Sequence, residues 1–278
     1  MKRRKPVISA AILIVITAAC ILAPVLAPFS AEFMDSAVVN QPPGVSSGLP
    51  GKIHLLGTDH MGRDLLTLIL YGGRISLYIG LLSGALSTAI AVVYGTVSGL
   101  AGEKVSDIMM RACELMMSVP SILLVLFLQA IWGIATPTSI AVVIASTRWM
   151  EISKIVRSEV RQIGNSDYIL AARTMKAPFW YLLLRHLLPN FVSSAMFMVV
   201  TNIGNAIITE STLSFFGLGL PLTIISWGSL LSMSQDVLLS GSWWMILLPG
   251  GVLVTALVCI TDIGEWIRRE NNRMYSNL

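Results

Sequence analysis

The sequence predicts an all-α integral membrane protein with six transmembrane helices. Of its 278 residues, 55% are hydrophobic and only 12% are charged, and the mean hydropathy is +0.76. A soluble domain carries about 25% charged residues, so this composition excludes a soluble fold. The hydrophobic residues also form long runs, and an α-helix needs about 20 residues to cross a bilayer. Six runs approach that length, at 7–27, 75–100, 118–134, 137–157, 191–212 and 243–264.

The first run follows the basic residues Lys2 to Lys5, as the hydrophobic region of a signal peptide would. It is longer than that region usually is, and Pro28 follows the best small-residue cleavage site. We therefore expect an uncleaved anchor helix within residues 1–28. An external segment at 29–74, a core of five spans at 75–267 and a tail at 268–278 complete the predicted organisation.

The distribution of lysine and arginine predicts the orientation of the spans. With the N-terminus inside the cell, nearly all of the 19 basic residues fall in cytoplasmic stretches, Arg148 being counted among them. Only Lys52, Arg63 and Arg74 fall outside. Such an excess marks the cytoplasmic side of a membrane protein, so both termini are expected there. The sequence pI near 9.1 follows from this topology, and no nucleic-acid partner is expected.

The external segment ends with signals that start a helix. Thr58 or Asp59 can cap a short helix whose leucines, from Leu65 onward, would lie on the membrane surface. A metal site is the alternative, with the ligands His54, Asp59, His60 and Asp64. No rigid spacing holds these four side chains together, so capping and surface solvation are favoured and no metal is expected.

The second span carries two pairs of glycines with GxxxG spacing, Gly80 with Gly84 and Gly95 with Gly99. In lipid there is little hydrophobic drive between helices, and small residues allow the close contact that holds them together. This span is therefore predicted to be a packing spine, either within the subunit or against another. The amphipathic stretch 105–119 that follows either extends the third span, which is slightly favoured, or supports the loop at 165–190.

The fifth span has a polar face, on which Asn202, Asn205 and Thr209 recur at helical spacing. An uncompensated amide costs several kcal/mol in hydrocarbon, so this face must meet protein or water. Two interpretations remain open: hydrogen bonds between helices, or the wall of a hydrated passage. Glu210 lies near the outer end, and ionisable groups at such depth favour a functional role. The candidate path-lining residues are Met198, Asn202, Asn205 and Glu210.

The stretch 165–190 differs from the hydrophobic runs around it. Ala177-Pro178 is expected to end a first short helix, because the residue before proline is disfavoured in the α region. Pro178 can begin a second helix, which Pro189 would stop. Basic side chains, among them Arg185 and His186, give the stretch a positive charge. It is either a docking surface for a cytoplasmic partner or an ordinary loop, and composition alone favours the loop.

The signatures of several enzyme classes are missing from the sequence. It contains no Gly-x-x-x-x-Gly-Lys-Ser/Thr, no His-Glu-x-x-His and no Gly-x-Ser-x-Gly. No pair of acids lies in the middle of a span, as proton-coupled carriers often need. We therefore expect no catalytic residue and no cofactor in this chain, and another subunit would have to supply energy for transport.

The stretch 165–190 resembles the cytoplasmic loop of permease subunits of ATP-binding-cassette (ABC) importers. That loop has the pattern Glu-Ala-Ala, then Gly four residues on, then Leu-Pro. Ala171-Ala172 and Leu188-Pro189 fit the pattern, whereas Leu170 replaces the Glu and Lys176 replaces the Gly. The resemblance implies that the loop couples the spans to an ATPase. The implied coupling residues are Asp167, Tyr168, Ile169, Leu170, Ala171, Ala172, Arg173, Met175, Lys176 and Ala177.

Two external stretches are similar to the branch of these permeases that imports peptides, nickel and metal chelates. Its signature LGTDxxGRD, followed by YGxRISL, matches residues 56–77. Its signature SLSFLGLG…P…WG is similar to residues 210–221 and 226–228. The resemblance therefore covers about 55–267. The residues implied in the external loops are Thr58, Asp59, Gly62, Arg63, Asp64, Phe215, Gly217 and Gly219.

The resemblance implies the type I ABC importer permease fold, in the plasma membrane of a bacterium. The implied partners are a second permease subunit, two ABC ATPase subunits, an extracytoplasmic solute-binding protein and the lipid bilayer. The alternatives are a self-powered secondary carrier or channel, and a scaffold subunit that transports nothing. An ATPase association that depends on residues 166–177 would separate the permease from both.

Overall fold

The computed structural model of the protein describes the main chain at 6–164, 166–235 and 241–276. It describes the side chains at these positions except 167, 173, 190–195 and 271–276. The described chain is mostly helical, as predicted. Its helices are α1 Val7–Ile21, α2 Ala23–Leu26, α3 Leu65–Leu100, α4 Glu103–Met117, α5 Ser121–Trp132, α6 Pro137–Gly164, α7 Asp167–Thr174, α8 Phe179–Tyr181, α9 Leu188–Phe215, α10 Trp227–Met233 and α11 Trp244–Ser276. A π-helical segment, Leu182–Leu187, joins α8 to α9, and the strands β1 Val45–Ser46 and β2 Ile53–His54 form an antiparallel hairpin.

The predicted count of six spans is not confirmed. Within the described residues, two helical stretches are long and apolar enough to cross a bilayer: α3 and the Trp244–Glu270 part of α11. The pair α4 and α5, which bend by 84° relative to each other, raises the number to three if it forms one broken span. The helices at the first and third predicted spans are short, because α1 has 15 residues and α5 has 12.

The predicted packing spine is α3, and it packs within the chain. A Cβ added at Gly80 would lie 2.6 Å from the side chain of Ile207, so α9 touches the backbone there. Further along, a Cβ at Gly99 would lie 2.6 Å from Val160, so α6 touches the next glycine pair. One helix therefore holds two others by direct backbone contact, on successive parts of its length.

The predicted surface helix before the second span is wrong. Leu65 begins α3, which continues without a break to Leu100, and Asp64 rather than Thr58 or Asp59 caps it. The carboxylate of Asp64 accepts hydrogen bonds from the backbone N–H of Thr67 at 2.8 Å and from its hydroxyl at 2.7 Å. The first leucines of α3 are buried, because they pack against α10 and α11 instead of lipid headgroups.

The amphipathic stretch after the second span is α4. The favoured prediction, that it extends the third span, stays a prediction, because α4 and α5 pass the length and composition test only as a bent pair. The 84° bend between α4 and α5 separates the two helices. Ion pairs attach α4 to α6: Arg157 lies 3.0 Å from Asp107, and Lys154 lies 3.3 Å from Glu114. These pairs are partly exposed, so each contributes up to about 1 kcal/mol at most.

The second helix of the stretch 165–190 does not stop at Pro189, contrary to the prediction. Helical structure continues from Phe179 through the π-helical segment into α9. Proline lacks an N–H and its ring clashes with the carbonyl four residues earlier in a regular helix. The π-helical turn directly before Pro189 is wider, which relieves that clash and lets the helix go on.

Candidate functional site

The short helix α7 is attached to the rest of the chain through Ile169. This side chain is fully buried in a cluster with Val156 and Val160 of α6. Leu187 of the π-helical segment and Met198 of α9 belong to the same cluster. Because close-packed protein interiors transmit strain, a displacement of α7 is passed through this cluster to α6 and α9.

Away from Ile169, α7 presents an exposed apolar surface. Tyr168 and Leu170 are each 46% exposed, and Met175 at its C-terminal end is 83% exposed. Exposed apolar side chains of this kind are available for contact with a partner. Of the other predicted coupling residues, Ala171 and Lys176 are exposed and Ala172 and Ala177 are half-buried, while the side chains of Asp167 and Arg173 lie outside the described residues.

The turn after α7 is made at Lys176, not at Ala177-Pro178 as predicted. Lys176 has φ +57°, and the N–H of Ala177 donates to the carbonyl of Ala172 at 3.1 Å. This is the bond of a Schellman helix end, in which the residue in the left-handed conformation is usually glycine. Lys176 thus takes the conformation for which the resembled loop uses Gly.

Three of the four predicted path-lining residues are buried within the chain. Asn202 donates a hydrogen bond from its amide to the hydroxyl of Ser87 on α3. Glu210 accepts from Ser76 of α3 at 3.2 Å and from Ser214 at 2.9 Å, while Met198 packs in the cluster around Ile169. For Asn202 and Glu210 these contacts favour the interpretation as hydrogen bonds between helices.

Asn205 differs, since it is half-exposed and lines a cavity of about 230 Å³ between α9 and α11. Next to it lies a residue that the sequence prediction missed. Arg148 of α6 donates a hydrogen bond at 3.0 Å to the hydroxyl of Thr209, which in turn donates to the carbonyl of Asn205 at 2.8 Å. Its position inside the run 137–157 was the signal available in the sequence, but it was counted as cytoplasmic.

The external signature at 56–64 is a compact set of buried polar contacts. Asp59 accepts from the backbone N–H of Arg63 at 2.8 Å and from its guanidinium at 2.7 Å. The carbonyl of Thr58 accepts from the indole of Trp244 on α11 at 3.2 Å. Gly62 has φ +73°, and a Cβ there would lie 2.2 Å from the carbonyl oxygen of Asp35. These residues tie the external segment to the helices.

The metal site considered for this segment is not formed by the described residues, among which no group of three or more His, Cys, Asp or Glu could hold an ion. His54 is instead buried and lies 3.0 Å from Asp64 through its Nδ1, and its Nε2 lies 3.8 Å from Asp35. Hydrogen bonds from the hydroxyl of Ser47 and the N–H of Gly48 lower the pKa of Asp35 below its usual range.

The remaining signature residues pack α3, α9 and α10 together. Trp227 is fully buried and donates from its indole to the carbonyl of Ile69 at 3.1 Å. A Cβ at Gly73 would lie 2.8 Å from its ring, so the glycine makes room for it. Gly217, at φ +72°, ends α9, whereas Gly219 packs on Ser214 and Phe215 is half-buried.

A large cavity of about 1190 Å³ opens between α1, the external segment and the start of α3. Its wall is mainly apolar and includes the charged residues Glu32, Arg63 and Arg74. Arg74 is exposed, with its guanidinium 5.7 Å from the ring centroid of Tyr71. The external signature thus forms part of the wall of this cavity.

Helical stretches long and apolar enough to cross a bilayer, with polar side chains buried between the helices, are typical of an integral membrane protein. Residues 91–265 match the family described as "Binding-protein-dependent transport system inner membrane component", and residues 1–43 match the "N-terminal TM domain of oligopeptide transport permease C". The chain belongs to this family of ABC transporter permeases, in its C-type peptide permease branch. It is therefore a transport component of the inner membrane and not an enzyme.

Known relatives support this assignment. The chain is 32% identical to the dipeptide transport system permease protein DppC of Bacillus subtilis over 257 residues, which are 92% of this chain and 78% of DppC. It is 34% identical to the oligopeptide transport system permease protein OppC of the same organism, over 79% of this chain and 71% of OppC. A putative peptide permease protein of Brucella suis is 34% identical, over 88% of this chain and 79% of that protein.

Proposed function

We propose that the chain is a permease subunit of an ATP-driven importer for peptides. The observation that carries this proposal is the open apolar face of α7, attached to the membrane helices through Ile169. Relatives named for dipeptide and oligopeptide transport support peptides as the solute, ahead of nickel and metal chelates. Six spans, cytoplasmic termini, a second permease, two ATPases and an extracytoplasmic binding protein complete the proposed assembly.

In this proposal α7 docks into a cleft of an ATPase subunit. ATP binding favours the closed ATPase dimer only because the closed state binds ATP better, and a docked helix carries that preference to the membrane. Through the cluster around Ile169, movement of α7 shifts α6 and α9 together. The helices then alternate between inward-open and outward-open packings as nearly rigid bodies.

The proposal is tested by placing a charge on the docking face. Ala171→Asp introduces a carboxylate beside exposed apolar side chains, which would have to be desolvated on docking. ATP-dependent peptide uptake in proteoliposomes with the complete transporter should fall about tenfold or more, as a penalty of at least 1.4 kcal/mol implies, while the protein is still inserted.

The matched control is Ala112→Asp, which changes an exposed alanine of α4 in the same way. It should leave uptake unchanged. Normal uptake by Ala171→Asp would contradict the docking role of α7. Uptake that is abolished by an ionophore but insensitive to ATP depletion would instead support the self-powered carrier.

A further inference from the structure

Helix α6 contains a cation whose charge is not neutralised within the described residues. Arg148 lies eleven residues after Pro137, the first residue of α6. In the proposed six-span arrangement 137–157 is the fourth span, so at 1.5 Å per residue Arg148 would lie about 16 Å along it, near the middle of a hydrocarbon layer about 30 Å thick. In the described ranges no carboxylate oxygen comes within 4.0 Å of its guanidinium, since the ion pairs there involve other residues.

The guanidinium is held in place by a neutral partner. Its Nη2 donates to the hydroxyl of Thr209 at 3.0 Å, and that hydroxyl donates onward to the carbonyl of Asn205. Thr209 therefore fixes the position of the cation without cancelling its charge. A guanidinium has five N–H donors, so donors remain for a further acceptor.

A second polar group beside it is also incompletely bonded. Asn205 lies one helical turn before Thr209 and is half-exposed, and none of the hydrogen bonds found across the described side chains involves its amide group. Arg148 is half-exposed as well. Ionisable and amide groups inside a membrane face protein or a water-filled cavity, and such ionisable residues mark substrate pathways.

We infer that Arg148 borders the translocation pathway and binds the C-terminal carboxylate of a peptide on its way through. This inference rests on the proposed function and deepens it, because it names the solute group that the pathway recognises. Guanidinium groups match carboxylates through two parallel hydrogen bonds. Thr209 is a positioning residue, since it acts only by orienting Arg148.

A cysteine at Asn205 reports on the occupancy of this site. The complete purified transporter carrying Asn205→Cys in nanodiscs is treated with a neutral hydroxyethyl methanethiosulfonate, with or without trialanine or trialanine amide. Trialanine should slow labelling of the cysteine, and its amide, which lacks the carboxylate, should not. The parent chain without the reporter gives the background from its buried cysteines.

Three further variants decide the role of the charge. Arg148→Met in the reporter background should raise the trialanine concentration for half-protection about tenfold, the factor expected for loss of a hydrogen bond to a charged group. Arg148→Lys should restore part of the protection, and Thr209→Val should weaken it less than Arg148→Met does. Arg111→Met, which changes an exposed arginine of α4, is the matched control and should have no effect.

Each other outcome overturns the inference. A cysteine at Asn205 that resists the water-soluble reagent would show that this face is not hydrated. Equal protection by both peptides, or protection that persists in Arg148→Met, would show that Arg148 does not bind the carboxylate. Uptake of trialanine by the same transporter is measured in parallel: if it occurs, only the inference fails, and if it does not, the proposed function fails with it.

Discussion

Lys176 and Gly217 occupy the same place at the ends of two helices. After each of them, a backbone N–H donates to a carbonyl five residues earlier: Ala177 to Ala172 at 3.1 Å, and Leu218 to Leu213 at 2.8 Å. Both residues are in the left-handed region, with φ +57° and +72°. Glycine takes this conformation without steric cost, whereas a side chain costs about 1–2 kcal/mol there.

Replacing Lys176 by glycine is therefore expected to stabilise the protein. The relief of backbone strain exceeds the entropy that a glycine adds to the unfolded chain, and the net gain should be about 0.5–1 kcal/mol. The midpoint of thermal unfolding of the purified chain in detergent measures it. Gly217→Ala is the reciprocal control and should lower the midpoint, so equal behaviour of the two variants would argue against a shared helix end.

Asp35 should make the external segment sensitive to acid. Its pKa is lowered in the folded protein by hydrogen bonds from Ser47 and Gly48, so its contribution to stability is present above the unfolded pKa of about 3.9. That contribution is lost as the pH falls through the lower, folded value.

The unfolding midpoint of wild type, followed by tryptophan fluorescence, should therefore fall more steeply below about pH 4 than that of Asp35→Asn. At neutral pH the variant should be less stable. A variant with the same acid slope as wild type would rule out this carboxylate as the cause.

At the scale of elements, the sequence predicted a mostly helical chain but misplaced several helix boundaries. A surface helix was predicted before a span that begins at residue 75, so Gly72 and Gly73 fell between the two elements. In the structure those glycines lie inside α3, and Gly73 makes room for the ring of Trp227. Trp227, the residue whose ring requires a glycine at position 73, lies 154 residues further along the chain. No local sequence pattern can reveal such a contact.

The glycines of α3 give a prediction at this scale. Gly99→Ala would place a Cβ 2.6 Å from Val160, and overpacking of this kind costs about 1–3 kcal/mol. Gly102, just beyond the helix, has no atom within 4 Å of an added Cβ. Gly102 is the N-cap of α4, where glycine is preferred to alanine, so Gly102→Ala costs that preference but no overpacking. Thermal unfolding should therefore show a larger fall in the midpoint for Gly99→Ala than for Gly102→Ala.

At the scale of the whole molecule, α7 is attached to the membrane helices through the buried Ile169, while Tyr168, Leu170 and Ala171 are exposed. Two functions are therefore divided between residues of this short helix: attachment to the rest of the protein and contact with a partner. Ile169 is buried and Leu170 is 46% exposed, so the first attaches α7 to the body of the protein and the second is available to a partner. The sequence placed both in the coupling loop by resemblance, but their different roles depend on which helices surround them.

Ile169→Ala should lower stability by about 2–5 kcal/mol, the usual cost of such a truncation in a core, and should also reduce coupling of ATP hydrolysis to uptake. Leu170→Ala should leave the unfolding midpoint unchanged but weaken binding of the ATPase, measured by pull-down with the purified subunit. If both variants changed stability alike, the division of roles would be wrong.

The polar residues of the bundle show where prediction stopped. Helical spacing predicted that Asn202, Asn205 and Glu210 lie on the same helix. It did not predict that serines of α3 form hydrogen bonds with Asn202 and Glu210. Arg148 was assigned to the cytoplasm because the side of the membrane was predicted from the positions of the basic residues alone. Its hydrogen bond to Thr209 depends on the packing of α6 against α9, which the sequence does not show.

The hydrogen bond between the Thr58 carbonyl and the indole of Trp244 spans most of the polypeptide. During synthesis Thr58 leaves the ribosome long before Trp244 has been made. The polar contacts around Asp59 are therefore incomplete until the final helix, α11, has been inserted. A chain truncated before α11 by a premature stop codon would expose these incomplete contacts. We expect quality-control proteases to degrade such a chain before it assembles with other subunits.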